Sequence, residues 1–435
     1  MKKIYTGKGY ISALTLLAIW SLSLVVDLPG LAVSPVVSVI DKVFPGPTQL
    51  ECQLLEILPN FCIFPFILLS GKLSESRNKL SLVVTGLVIF LVSGIAYFFS
   101  DNIVSLIIVS CTLGMGCGLI IPLAAGLLAE TFVGRFRLHQ MGIKSGIANF
   151  TLVFATLIVG LIEGGNWHLP FVVYLIAIVP LLMSVFLTKR FLSANNALTV
   201  TDKPKPDARK TAVKAVSASQ SNASLSRMDT HSATRKIWGI IIFYLLVTVT
   251  GITLSFYIPF MMQKHGMSDA ATGYVSAVFY LALTVPGFWL GRVVCLFRNF
   301  TIPACIISMI AGLLIIPFMP HLWAYFAGAI LVGFGYGALQ PIFYDKAAVL
   351  APSSANSTKM LSYIMAANYL GVAVCPLFFA GLGSELAFVI SAGVMGVVLV
   401  MSLIFRHWFI FNVANEIKAY EEQPASVTAN SSKTS

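Results

Sequence analysis

The sequence has few charged residues. Asp, Glu, Lys and Arg together make up 10% of the 435 residues, whereas a soluble domain averages about 25%. Hydrophobic residues make up 57% of the chain, and the mean hydropathy is +0.89. A soluble fold has no interior large enough for this much apolar side chain. The composition therefore excludes most soluble enzyme classes and predicts a polytopic membrane protein.

Several chemical signatures are also missing from the sequence. No segment matches the Gly-x-x-x-x-Gly-Lys-Ser/Thr loop that cradles phosphate, so ATP coupling within this chain is not expected. The six histidines fall in predicted loops or at the ends of apolar runs, without the spacing of a metal site. The seven cysteines are an odd number and indicate no disulfide framework. We therefore predict no enzyme activity, no catalytic residue, no cofactor and no metal site.

Long apolar runs dominate what is present. Twelve of them approach the roughly 20 residues that a helix needs to cross a bilayer, the first being Ile11–Val37. With the N-terminus inside, all but two of the 28 Lys and Arg residues fall in inside segments; the exceptions are Lys42 and Lys264. The sequence thus predicts an all-α membrane protein with twelve transmembrane helices and both termini cytoplasmic. The net charge of +11 then follows from topology and indicates no nucleic-acid partner.

A polar segment divides the twelve runs into two sets of six. It is rich in Ser, Ala, Thr and Lys, a composition typical of a flexible linker. The predicted organisation is an N-terminal six-helix bundle over 1–190, a cytoplasmic linker over 191–236, a C-terminal six-helix bundle over 237–408 and a cytoplasmic tail over 409–435.

An internal repeat relates the two sets of runs. A G-x-G-x-G-x-x-x-P motif occurs at Gly114, Gly116, Gly118 and Pro122, and again 219 residues later at Gly333, Gly335, Gly337 and Pro341. The same offset relates Asn149 to Asn368. Two parallel repeats predict pseudo-symmetric bundles around a central cavity. The glycines are expected to allow close helix packing.

The loop after the second run carries a family resemblance. It reads Gly71-Lys72-Leu73-Ser74-Glu75-Ser76-Arg77-Asn78-Lys79 and resembles the G-x-L-a-D-r-x-G-r-k loop of the major facilitator superfamily. The resemblance covers nearly all of the chain except the linker and the tail. It implies that Gly71, Glu75, Arg77 and Lys79 form a gate on the cytoplasmic side. Ordinary inside-positive charge is the alternative interpretation of these residues.

The first two runs resemble those of the twelve-span drug/proton antiporters. The resemblance rests on Asp27-Leu28-Pro29, on Pro35 and on the prolines of the second run. Two positions depart from that branch. Ser110 stands where an arginine is usual, and no proline follows Gly146. The resemblance implies secondary active transport by alternating access in the inner cell membrane, coupled to protons.

Ionisable residues inside apolar runs are costly, by about 2.5–3.5 kcal/mol on insertion scales, and so indicate function. Asp27 has no Lys or Arg at the same predicted depth, and we expect it to carry the coupling proton or to bind a cationic group. Glu56 is either its partner in a relay or a solvated carboxylate at the outer end. Glu130 and Asp345 fall at inner ends, where pairing with Arg or Lys is expected.

The predicted class of substrate follows from the side chains that are expected to line the central cavity. Lys144 and Lys359 are predicted to lie near inner ends, which leaves no cavity cation for an anionic solute. Candidate lining residues are Asn60, Asn149, Asn368, Gln340, Tyr344 and Tyr257, although the asparagines also suit helix–helix hydrogen bonds. The leading hypothesis is proton-coupled efflux of small amphipathic neutral or cationic compounds by a monomer in the lipid bilayer. Uptake of a neutral nutrient, sodium coupling, and a non-transporting receptor or scaffold are the alternatives.

Overall fold

A computed structural model describes residues 3–7, 10–29, 49–76, 78–162, 168–187, 216–351, 356–379, 381–408 and 410–413. The side chains at 3, 49–57, 160–162, 216–234 and 269–270 lie outside this description. The Glu56 side chain and Arg77 thus lie outside the described part of the chain, and their roles stay predictions. The predicted start of the linker, at 191, also lies outside. Its predicted end at 236 does not: residues 216–236 belong to a helix that runs from Val216 to Lys264, where the sequence predicts a flexible linker. The division into bundles, linker and tail otherwise stays a prediction.

The described residues form a short hairpin and twelve helical elements. The hairpin pairs β1 (Lys3–Tyr5) with β2 (Tyr10–Ser12) in antiparallel register. The helices are α1 (Ala13–Val25, with a final 3₁₀ turn), α2 (Gln49–Ser76), α3 (Lys79–Ala96), α4 (Ile103–Thr131), α5 (Gly134–Ile162), α6 (Leu169–Phe186, largely 3₁₀), α7 (Val216–Lys264), α8 (Asp269–Phe297), α9 (Thr301–Phe318), α10 (Leu322–Val349), α11 (Ser357–Phe378) and α12 (Ser384–Ile404).

Each of the twelve predicted runs overlaps one of these helices. Within the described residues, nine helical segments are long and apolar enough to cross a membrane, and α8 and α9 are counted together in one of them. The helix α1 is shorter than the others. A helical multi-pass membrane protein is therefore established, whereas the count of twelve spans and the side on which the termini lie stay predictions.

The first helix ends earlier than its apolar run. The run Ile11–Val37 predicts one continuous helix through Asp27, but the 3₁₀ turn that completes α1 ends at Val25 and Asp27 lies in a turn. That prediction is wrong. Pro29 cannot donate a backbone hydrogen bond and disfavours a helical conformation at the residue before it. The run also enters the hairpin, since Ile11 belongs to β2.

Helix contacts follow the internal repeat. In the first repeat α4 packs against α2 and α3, and in the second α10 packs against α8 and α9. Across the repeats α2 packs against α11 while α5 packs against α8. Each of these pairs maps onto the other when the six helices of one repeat are exchanged for those of the second. The contacts therefore have the pseudo-twofold order that the duplicated motif predicts.

The repeated glycines lie where helices approach most closely. A Cβ atom at Gly116 would lie 2.7 Å from the Phe90 backbone nitrogen of α3, and one at Gly335 would lie 2.4 Å from the Cys305 carbonyl oxygen of α9. No side chain fits at such distances. The remaining members face the equivalent neighbours, Gly114 and Gly118 toward α2, Gly333 and Gly337 toward α8. Pro122 and Pro341 are buried within α4 and α10.

Candidate functional site

A central cavity lies between the two repeats. The turn after α1 and the helices α2 and α5 line it from the first repeat; α7, α8, α10 and α11 line it from the second. Its polar lining consists of Asp27, Asn60, Asn149, Gln340 and Asn368 together with Tyr280, Tyr336 and Tyr369. The cavity thus combines one carboxylate, four amides and three phenol groups in an otherwise apolar wall.

Two of the predicted lining residues lie elsewhere. Tyr344 follows Gln340 by one turn and is buried, and its hydroxyl accepts a hydrogen bond from Gln340 Nε2 at 3.3 Å. Tyr257 packs its ring against Phe379, and its hydroxyl lies 3.5 Å from the Pro376 carbonyl oxygen. Helical periodicity alone gives the face of a residue but not the depth of the cavity. Neither side chain is among the residues that line this cavity, and a substrate contact for either stays a prediction.

The Asp27 carboxylate is held by the opposite repeat. The Tyr369 hydroxyl of α11 donates to Asp27 Oδ1 at 2.8 Å and also lies 2.9 Å from the Val26 carbonyl oxygen. Cys117 of α4 covers the same helix end, with its Sγ 3.2 Å from the Val26 carbonyl oxygen. The early end of α1 therefore presents carbonyl groups and a carboxylate together, and a tyrosine of the second repeat binds both. Sequence reasoning missed Tyr369.

A buried cation accompanies Asp27. Lys144 of α5 is 2% exposed and interacts electrostatically with the Asp27 carboxylate. Its Nζ lies 5.2 Å from the centroid of the Tyr344 ring, a cation–π contact. The sequence-based view that no Lys or Arg shares the depth of Asp27 is wrong. The prediction that the cavity has no cation to offset an anionic solute therefore loses its support.

The depth of Lys144 was misjudged because α5 begins before its apolar run. The helix starts at Gly134, nine residues ahead of the predicted start at Ile143. Lys144 therefore lies about 15 Å along α5 from its first residue, rather than at the start of the helix. The polar first turns of α5 are covered by other helices, so hydropathy alone understates the length of the helix.

The two repeat-equivalent asparagines have different surroundings. Asn368 Oδ1 accepts from the Thr248 hydroxyl and from the Tyr336 hydroxyl, each at 2.9 Å. Asn149 is 6% exposed, and its Nδ2 has no hydrogen-bond partner among the described residues. One amide is thus committed to joining α7, α10 and α11, while the other is open toward the cavity that it lines.

The predicted gate residues meet the second repeat at one end of the protein. Lys359 Nζ of α11 lies 3.1 Å from Glu75 Oε2 of α2. Glu130 Oε1 accepts from Lys79 and also from the Thr358 hydroxyl, the latter at 3.0 Å. A Cβ atom at Gly71 would lie 2.1 Å from Ser362 Oγ, so α2 and α11 are in close contact here.

A third ion pair at this end is buried. Arg137 Nε of α5 lies 2.6 Å from Asp345 Oδ1 of α10, and the two side chains are 9% and 11% exposed. The expectation that Glu130 and Asp345 pair with basic residues is confirmed. Sequence reasoning missed the identity of the Asp345 partner, since the two residues are 208 positions apart. The neighbouring Lys346 instead donates to the Asn412 carbonyl oxygen.

The comparisons with known proteins agree with this architecture. The Major Facilitator Superfamily model matches residues 11–358 and 241–430. The chain therefore belongs to the major facilitator superfamily, whose members are membrane transporters rather than enzymes. A search of curated proteins gives no match.

Two solved structures share the fold. The human organic anion transporter MFSD10 (TETRAN) is 14% identical, with a TM-score of 0.65 over 89% of this chain and 97% of its own. The proton:xylose symporter XylE, bound to 6-bromo-6-deoxy-D-glucose, is 13% identical, with a TM-score of 0.67 over 93% of this chain and 98% of its own. At these identities the likeness shows the fold alone.

Proposed function

We propose that this chain is a secondary active transporter that works by alternating access and exports small amphipathic neutral or cationic compounds in exchange for protons. The observation that carries the proposal is the position of Asp27. Its carboxylate lines the central cavity, belongs to the first repeat and accepts a hydrogen bond from Tyr369 of the second. Protonation of the Asp27 carboxylate therefore changes a hydrogen bond between the two repeats.

Alternating access requires one end of the cavity to close while the other opens. The pairs Arg137–Asp345 and Glu75–Lys359 join the repeats at the end that the charge bias predicts as cytoplasmic. Opening the cavity at that end separates both pairs. We propose that they form the gate that is closed in this conformation, with Glu130 and Thr358 as its third contact.

Proton coupling follows from the charges around Asp27. Protonation of its carboxylate removes the negative charge with which Lys144 interacts and which Tyr369 binds. The link between the turn after α1 and α11 is then weaker. Because coupling between two events is reciprocal, a conformation that separates Asp27 from Tyr369 changes proton affinity by the same free energy. Glu56 is proposed as the outer member of the proton path, and sodium is the alternative coupling ion.

The test uses the full-length protein reconstituted in vesicles with an imposed pH gradient. The parent is expected to move protons when a transported compound is added, and Asp27→Asn is expected to abolish the response to the gradient. Glu385→Gln is the matched control, because it also removes one carboxylate charge but lies in an exposed pair with Lys264, outside both the cavity lining and the proposed gate. A gradient-driven flux in Asp27→Asn equal to that of the parent would refute the proposal.

Uptake of a small neutral nutrient is the second candidate. The lining favours it, since the Asn149 amide donor faces the cavity without a partner among the described residues and suits a polar uncharged solute. Growth tests separate the directions: broader tolerance of toxic compounds when the gene is present supports efflux, and growth on a sole carbon source supports uptake. A non-transporting receptor or scaffold would bind solute without any flux in the same vesicles.

A further inference from the structure

The chain folds back onto the protein after its last helix. Residues 410–413 follow α12 and a turn at Trp408, whose carbonyl oxygen accepts from the Phe411 backbone nitrogen at 2.9 Å. The side chains of Ile410, Phe411 and Val413 are 2%, 3% and 4% exposed. Apolar side chains buried to this extent make the segment part of the folded core. Residues 410–413 are called the C-terminal strap below.

The strap lies on α7 and reaches α10 through an aromatic contact. Ile410 fills the space beside Gly239 of α7, where an added Cβ would lie 2.7 Å from Ile410 Cδ1. The Phe411 ring packs edge-on against Phe243 of α7, with the centroids 5.2 Å apart. Phe243 in turn contacts Phe343 of α10 at a centroid distance of 4.9 Å. The strap therefore joins two helices of the second repeat at the end of the protein that carries the ion pairs.

A buried lysine fastens the strap to α10. Lys346 Nζ donates to the Asn412 carbonyl oxygen at 2.7 Å, and the residue is 1% exposed. Burying an ammonium is costly unless it is hydrogen-bonded or paired. Phe343 and Lys346 are three positions apart and so share one face of α10. Asp345 lies on another face and pairs with Arg137 of the first repeat, so the end of α10 is held on two sides.

The strap is attached beyond a proline in α10. Pro341 lies inside the helix, four residues before Asp345. Because proline has no backbone donor and its ring crowds the preceding turn, a helix can bend there. A bend at this point moves Asp345 away from Arg137. It also pulls Phe343 and Lys346 away from the strap, which α7 holds in place, so the strap opposes the movement that separates the gate pair.

We propose that the C-terminal strap is a conformational restraint on the gate. When attached, it favours the conformation in which Arg137 and Asp345 are paired; when released, it lets the end of α10 swing and the gate open. Lys346 is a positioning residue that acts on the pair through α10. The inference rests on the proposed function, because the gate is part of the alternating-access mechanism.

The experiment measures how often the gate opens, with a cysteine reporter at Ser362. This residue is 1% exposed and faces Gly71, where α2 and α11 of opposite repeats are in close contact. In Ser362→Cys, a maleimide can react only when the repeats separate at this end. The full-length protein is labelled in detergent, and mass spectrometry of its peptides gives the rate at each cysteine. The native Cys305 of α9, also 1% exposed, is the internal control, because it reacts only when the second repeat itself unfolds.

Two variants release the strap in different ways. Phe411→Ala removes the ring that packs on Phe243, and Lys346→Met removes the ammonium but keeps the apolar stem. Each is expected to raise the labelling rate of the reporter about ten-fold, which corresponds to about 1.4 kcal/mol, and to leave the Cys305 rate unchanged. Phe405→Ala is the matched control and should label at the parent rate, because Phe405 is an aromatic residue at the end of α12 that is 47% exposed and outside the strap.

Arg137→Met provides the reference for an open gate, because it removes the cation of the buried pair. The inference is overturned if either Phe411→Ala or Lys346→Met labels at the parent rate, or if Cys305 reacts faster in step with the reporter. A reporter that reacts no faster in Arg137→Met would show that this pair is not the gate, and the strap would then have nothing to restrain.

Because the labelling uses no ion gradient and no solute, its failure is distinct from failure of the proposed function. Faster labelling in the strap variants of a protein that shows no gradient-driven flux in vesicles would refute proton-coupled transport and leave the strap intact.

Discussion

Arg137 of α5 and Asp345 of α10 join the two repeats through a buried ion pair, with Arg137 Nε 2.6 Å from Asp345 Oδ1. Removing one member of such a pair leaves an uncompensated buried charge, which costs about 3–5 kcal/mol. We expect Arg137→Met to lower the free energy of unfolding by this amount. The double variant Arg137→Met/Asp345→Leu is expected to recover most of the loss. A denaturant titration in mixed micelles measures both.

The Glu75–Lys359 pair is the control for that experiment. It also joins the repeats, but its side chains are 34% and 31% exposed. Solvent-accessible pairs contribute about 0–1 kcal/mol. Glu75→Gln should therefore change the unfolding free energy far less than Arg137→Met. Equal losses in the two variants would contradict the view that burial of the Arg137 pair makes it the stronger contact.

The charge balance around Asp27 gives a second prediction. Lys144→Met removes the cation that interacts with the Asp27 carboxylate and leaves that charge buried without compensation. We expect a lower melting temperature for Lys144→Met, with most of the loss restored in Asp27→Asn/Lys144→Met. Double-mutant cycles of interacting residues give coupling energies of about 0.5–3 kcal/mol. Additive effects of the two substitutions would show that the groups do not interact.

Close helix packing at the repeated glycines gives a third prediction. Gly335→Ala places a methyl group 2.4 Å from the Cys305 carbonyl oxygen and is expected to destabilise the protein by about 1–3 kcal/mol. Gly396→Ala is the matched control in α12, since no atom lies within 4 Å of its added Cβ. That control is expected to be neutral or stabilising by about 0.5–1 kcal/mol, because alanine favours helix. Thermal unfolding of both variants checks the contrast.

The Tyr369 hydroxyl gives a fourth prediction. Tyr369→Phe removes the hydrogen bond to the Asp27 carboxylate, and bonds to charged groups contribute about 1.5–3 kcal/mol. We expect that loss in unfolding free energy together with a slower pH-driven flux. Tyr363→Phe in the same helix is the control, because Tyr363 is 36% exposed and is expected to change stability by no more than about 0.5 kcal/mol. Unchanged flux in Tyr369→Phe would argue against a role in coupling.

The sequence predicts the helical multi-pass fold because the helices of a membrane protein are marked by local composition. Apolar length and the repeated glycine motif indicate the helices and their order, whereas the orientation read from loop charge stays a prediction. The cavity was predicted in part, since Asp27, Asn60, Asn149, Gln340 and Asn368 all line it. The contacts that determine chemistry come from distant helices. Neither the burial of Lys144 beside Asp27 nor the Tyr369 hydrogen bond has a local signal.

Helix ends were the other source of error. Hydropathy extended α1 through Asp27, although a proline nearby ends the helix at Val25. It also shortened α5, whose first turns are polar yet helical. Each error shifts the position along the membrane normal at which an ionisable residue is expected, Asp27 in one case and Lys144 in the other. The expected neighbours of each residue are then wrong as well.

The N-terminal hairpin supports the helix that carries one half of the buried ion pair between the repeats. The Thr6 carbonyl oxygen, in the hairpin loop, accepts from the Val133 backbone nitrogen at 3.1 Å, and the Tyr5 ring packs edge-on against Phe136. The hairpin therefore holds the turn between α4 and α5, just ahead of Arg137. A change in the hairpin thus reaches the Arg137–Asp345 pair through one short segment of the chain.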